Sequence, residues 1–155
     1  MQRAFESLFS EFDQEERCQF LVEGKDSLDH PGEGWYEIKD FYCLEEDCDC
    51  RKVSIAIVDS QGKRRALISY GWEPSTFYQQ WGLDQEIAQM LTQGYLEPGQ
   101  QQSEHADFFL SHFLFLKKEP EVVDWFKKRY HLFKKAIASK TTKKTAEIIP
   151  FIRKR

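Results

Sequence analysis

No apolar run in this 155-residue chain approaches the ~20 residues that cross a bilayer. Its first twelve residues lack the basic start and apolar stretch of a secretory leader. The expected location is therefore the cytoplasm, with no membrane partner. There is no glycine-rich phosphate loop, no G-x-S-x-G elbow and no H-E-x-x-H pair. Standard nucleotide-binding, α/β-hydrolase and zincin chemistries lose their signatures accordingly. Cysteine is scarce, with four residues, and in a reducing compartment these are expected as thiols or metal ligands rather than disulfides. No internal repeat divides the chain, and its length points to one domain.

What is present is charge and aromatic surface. Hydrophobic residues make up 41% and charged residues 31%, a globular balance. Aromatics reach 15%, with 13 Phe, and rings bury enough area to give a moderately hydrophobic chain a dense core. The net charge of −4 is unevenly spread. Residues 1–116 carry 9 basic and 22 acidic side chains, and residues 117–155 carry 13 basic and 4 acidic. Either two solvated faces attract each other within the fold, or a basic arm meets an anionic partner.

Phe5, Leu8, Phe9 and Phe12 have the spacing of a short amphipathic helix. A charged, Gly-containing loop follows, with a short strand at Gln19–Val22. Trp35–Tyr42, Arg51–Asp59 and Arg64–Tyr70 read as strands, the last two joined by a turn at Gly62. Val53, Ile55 and Ile57 point one way, which makes this strand the centre of a three-stranded antiparallel meander. Ser75 and Ser103 are candidate helix caps. The helix after Ser103 is apolar almost all round and is expected to be buried. Pro120 suits the first turn of a last long helix. Its face Val122, Phe126, Tyr130, Phe133, Ile137 opposes a basic stripe of Lys127, Lys128, His131, Lys134 and Lys135. Arg129 falls near the apolar face, so its stem should be packed and its head paired. The fold class expected is α+β, a three-stranded meander packed against a C-terminal helical bundle. Residues 1–138 form the domain and 139–155 a basic tail.

One segment departs from this ordinary pattern. Phe41-Tyr42-Cys43 is followed by a tight acidic loop and Cys48-Asp49-Cys50-Arg51, a C-x4-C-x-C spacing. In an extended chain Cys48 and Cys50 project to one side, and a four-residue loop can return Cys43 to the same ion. Three sulfurs from one hairpin end suit zinc, which takes four soft or borderline ligands in a tetrahedron. The alternative is three ordinary thiols near a turn. The first choice for the fourth ligand is His105, then His30 and Cys18. His112 reads as a core histidine and His131 as surface. Antiparallel pairing places Ser69-Tyr70-Gly71-Trp72-Glu73 beside the loop. There Gly71 permits a close backbone approach, Trp72 could cover the metal and Glu73 could pair with Arg51.

The run Phe41-Tyr42-Cys43, Cys48-Asp49-Cys50-Arg51 and Ser69-Tyr70-Gly71-Trp72-Glu73 resembles a family of small bacterial proteins to which no activity is assigned. The resemblance covers residues 35–135 and implies the strand–cysteine loop–hairpin arrangement, not a function. The C-x-C element is also similar to half of the zinc motif in the tail of the preprotein translocase motor, whose second half is missing here. Three functions remain for the chain. The first is a non-catalytic, zinc-stabilised module that binds protein. The second is a nucleic-acid-binding accessory protein using Lys127, Lys128, Lys134, Lys135 and the tail. The third is a thiol- or metal-dependent enzyme.

Overall fold

The computed structural model describes residues 1–9, 17–24 and 30–153, with side chains as far as residue 139. The chain is α+β. Its antiparallel sheet is built from β1 (Gln2–Ala4), β2 (Cys18–Val22), β3 (Gly34–Cys43), β4 (Lys52–Val58), β5 (Arg64–Gly71) and β6 (Tyr95–Leu96). The order is β1-β3-β4-β5-β6, with β2 also paired to β3. The expected meander β3-β4-β5 is thus the middle of a larger sheet. The outer edge of β3 is shared: β2 lies opposite Gly34–Ile38 and β1 opposite Phe41–Cys43. β1 and β6 are too short for a period-two pattern to show in sequence.

Register sorts side chains cleanly between the two faces. Ile38 pairs with Ile57, Asp40 with Ile55, and Ile55 with Ile68. Tyr36, Ile38, Tyr42, Val53, Ile55, Ile57, Ile68 and Tyr70 therefore share one buried face. Helices α3 (Ala106–Leu116) and α4 (Pro120–Arg153) cover it with Phe109, Phe113, Phe126, Tyr130 and Phe133. The opposite face carries Ser54, Ser69, Gly71 and Tyr95. Over it lie α1 (Ser75–Gln80) and α2 (Gln85–Gln93), whose smaller core is Tyr78, Ala88 and Leu91 with Tyr95. The helices are thus divided between the faces instead of forming one C-terminal bundle.

Local signals place most helix ends. Asp84 caps α2, its carboxylate accepting from the Ile87 amide at 2.8 Å, and Gly94 closes it at φ 101°. Ser75 and Ser103 do not cap: Ser75 is the first residue of α1, and the Ser103 hydroxyl instead donates to the Arg65 carbonyl. α3 is not wholly buried, since Phe115 is 66% exposed; packing against a sheet uses only one side of a helix. Near the N-terminus the expected amphipathic helix is a single 3₁₀ turn, Phe5–Ser7, because the preceding residues pair with β3. Phe12 lies outside the described residues. α4 continues through the stretch expected as a tail; Lys, Ala, Thr and Glu there are compatible with helix, and neither Gly nor Pro intervenes between Glu121 and Ile149.

α4 is fixed to the sheet by a buried ion pair. The Arg129 guanidinium donates to both Asp40 oxygens, at 2.6 and 2.8 Å. It also lies over the rings of Phe5 at 3.6 Å and Trp125 at 4.2 Å. The Tyr42 hydroxyl donates to Asp40 at 2.7 Å. The packed stem and paired head expected of Arg129 are both present.

Candidate metal centre

The loop from β3 to β4, residues 44–51, holds the cysteines. Cys43 is the last residue of β3 and lies on the Ser54/Ser69 face by alternation with Phe41. A turn closed by the Cys48 amide donating to the Glu45 carbonyl at 3.2 Å folds the loop back. The Cys43, Cys48 and Cys50 sulfurs then lie within 4.8 Å of one another. A tetrahedral zinc with Zn–S near ~2.3 Å needs sulfurs about 3.8 Å apart, so at most about 1 Å of closure is required. The Glu45 amide donates to Cys43 Sγ at 3.4 Å, an orientation suited to a metal-bound thiolate. The donor set therefore fits a thiophilic ion.

A clamp around Arg51 holds this geometry. Arg51 has φ 48°, a left-handed conformation that costs a non-glycine residue roughly 1–2 kcal/mol. Every polar part of it is engaged. Its amide donates to the Tyr130 hydroxyl at 3.3 Å, and its carbonyl accepts from the Tyr78 hydroxyl at 2.7 Å. Its guanidinium bonds Asp49 at 2.8 Å and Glu73 at 3.4 Å, and lies 4.8 Å from the Phe77 ring centre. Tyr130 in turn donates to Asp49 at 2.9 Å, and Lys134 donates to the Glu45 carbonyl at 2.7 Å. Gly71 makes the Tyr78 contact feasible: a Cβ there would sit 2.2 Å from the Tyr78 hydroxyl. Gly71 and the Arg51–Glu73 pair match the sequence reading. Trp72 packs on Tyr130, with ring centres 5.2 Å apart.

Burial sets the electrostatics of the thiols. The Cys50 thiol is pushed up to about 12, first by burial and then by Cys48 and Cys43 beside it. Cys48 is raised by burial and by its hydrogen bond with Cys43, with Lys134 opposing. A nucleophilic cysteine needs the opposite shift, so these two are poorly suited to thiol catalysis. A divalent cation would favour the deprotonated sulfurs instead.

The other predicted ligands lie elsewhere. His105 occupies the N-cap position of α3, without a side-chain capping bond, beside Lys63, Arg64 and Arg65. That is the far end of β5, roughly 20 Å from Gly71 at ~3.3 Å per residue. Cys18 stands opposite Ile38, five residues and roughly 17 Å along β3 from Cys43. His30 has both ring nitrogens engaged: the Gly32 amide donates to Nδ1 at 3.1 Å, and Nε2 faces the Glu23 carbonyl at 3.0 Å. His112 packs on Phe20 with tilted rings, their centres 4.3 Å apart, and burial lowers its pKa. Its buried Nε2 has no hydrogen-bond partner among the described residues. His131 is exposed on α4. On the basic stripe Lys128 and Lys135 are exposed, whereas Lys127 and Lys134 are half-buried.

Sequence reasoning missed Tyr78, Tyr130 and the strained Arg51. Only Gly71 signalled that a side chain approaches the backbone here. No helix among the described residues is long and apolar enough to cross a membrane. The chain matches no family model, no curated protein and no solved structure.

Proposed function

We propose that this chain is a non-catalytic interaction module whose β3–β4 loop is held by one zinc ion on Cys43, Cys48 and Cys50, with a protein as its partner. The observation that carries the reading is the convergence of three sulfurs within 4.8 Å on a loop clamped from both sides of the sheet. Structural zinc contributes folding free energy directly. Protein purified without added metal is expected to contain close to one zinc per chain. Cys50→Ser should lose the metal and melt at lower temperature. Metal-free protein whose thiols all titrate freely in the native state would refute the reading.

A nucleic-acid role rests on exposed Lys128, His131 and Lys135 on a 34-residue helix. It is the weaker reading, because Lys134 is tied to the Glu45 carbonyl and residues 1–116 are strongly acidic. An affinity for duplex DNA or RNA that falls steeply with salt would favour it.

A further inference from the structure

Three sulfurs leave a zinc ion one ligand short, and the described residues can be searched for the fourth. All four cysteines and all four histidines lie among the described residues. Cys18, His30, His105 and His112 are each placed away from the loop. His131 is nearer: its ring centre lies 5.6 Å from that of Tyr130, whose hydroxyl reaches Asp49. It lies on the wrong side, however. Asp49 turns toward Tyr130 on α4, whereas the three sulfurs line a cleft of about 520 Å³ that also reaches α1 and α2. Of the nearby carboxylates, Asp49 holds Arg51 and Glu97 accepts from Ser54 and Ser69, while Glu45, which also lines the cleft, would add negative charge to the site.

The cleft also constrains what can enter it. Trp81, Leu83 and Leu91 give it an apolar wall, and Trp81 is 50% exposed at its rim. Glu45, Glu97 and Lys52 also line it. Zinc with three thiolates carries −1, so a fourth thiolate would add negative charge to a site already negative. A neutral donor adds none, and three cysteines with one imidazole make a stable zinc set.

Resting on the zinc reading above, we infer that the fourth coordination position opens onto this cleft and takes a neutral nitrogen donor of the imidazole class from outside the chain. The cleft volume lies within the range of small-ligand sites, and its apolar wall equally suits a histidine carried on a peptide.

Cobalt(II) loaded in place of zinc on the full chain tests this, because its visible bands report the ligand set. Imidazole and a short peptide with histidine between apolar residues are titrated separately. Both are expected to shift the visible bands saturably while the thiolate-to-cobalt band is kept. A peptide binding at least tenfold tighter than imidazole assigns the donor to a polypeptide, and equal affinities assign it to a small molecule. Bands unmoved by either probe overturn the inference. So does a His131→Ala or Glu45→Gln variant whose spectrum differs before any ligand is added, and so does 2-mercaptoethanol displacing imidazole at equal concentration. A chain that binds no cobalt at all fails at the earlier step and rejects the metal reading itself.

Discussion

Replacing Gly71 by alanine adds one carbon to a strand, a change that elsewhere tends to stabilise by roughly 0.4–1 kcal/mol by restricting the unfolded chain. Here the sign should reverse. The new Cβ would meet the Tyr78 hydroxyl at 2.2 Å and its ring carbons at 2.4 and 2.8 Å. Tyr78 must withdraw by about 1 Å to restore ordinary contact. It then gives up its bond to the Arg51 carbonyl at 2.7 Å and the Glu73 amide donating to it at 3.1 Å. Two lost hydrogen bonds with partly buried partners cost about 1 kcal/mol each or more. Overpacking adds roughly 1–3 kcal/mol. The expected loss is about 3–5 kcal/mol, or on the order of 10 °C in Tm for a domain this size. The Arg51 carbonyl is the anchor next to Cys50, so zinc affinity measured by chelator competition should fall as well. Tyr78→Phe separates the two causes. Its double mutant with Gly71→Ala should lose less than the sum of the single losses, because part of the clash is gone. A Gly71→Ala protein within 0.5 kcal/mol of wild type, with unchanged zinc affinity, would refute the clamp.

Burial raises the folded-state pKa of Cys50 from 9.0 to about 12, so between those values the native state keeps a proton that the unfolded chain has lost. Stability of the metal-free protein is therefore full below pH 9 and declines as pH rises toward 12. Urea melts should show a shallower alkaline decline for metal-free Cys50→Ser, and equal slopes would contradict the assignment. Arg129→Ala leaves Asp40 buried with Tyr42 alone and should cost about 3–5 kcal/mol, whereas Lys135→Ala on the exposed stripe should stay within about 0.5 kcal/mol. Thermal melts in the reverse order would refute the phase of α4.

The parts of this fold legible in sequence are those in which a local pattern and a tertiary demand coincide. Val53, Ile55 and Ile57 alternate because one face of β4 meets the helices, and Phe126, Tyr130 and Phe133 recur at helical spacing because one side of α4 meets the sheet. The C-x4-C-x-C loop was legible for the same reason: strand alternation and a short turn suffice to gather its sulfurs. Failures came where the deciding partner is remote. Gln2–Ala4 is a strand only because Phe41–Cys43 offers an edge. Ser103 does not cap because the Arg65 carbonyl competes for its hydroxyl. His105 is a candidate ligand by residue type and by its place near the start of the apolar helix, while the length of β5 separates it from the cysteines.

The Arg129 junction has a consequence for the order of assembly. It joins Phe5, Asp40 and Trp125 around one guanidinium, so contacts separated by 89 residues or more along the chain close together. During synthesis β1 gains its strand partner once residue 43 has emerged, yet Phe5 and Asp40 wait for a helix made much later. Loop-closure entropy is met before such long-range contacts return anything. Until then the face that carries Tyr42, Ile55 and Ile68 lacks half its cover. The surplus of acidic side chains in residues 1–116 gives the incomplete chain a mutual repulsion that opposes its association with other copies.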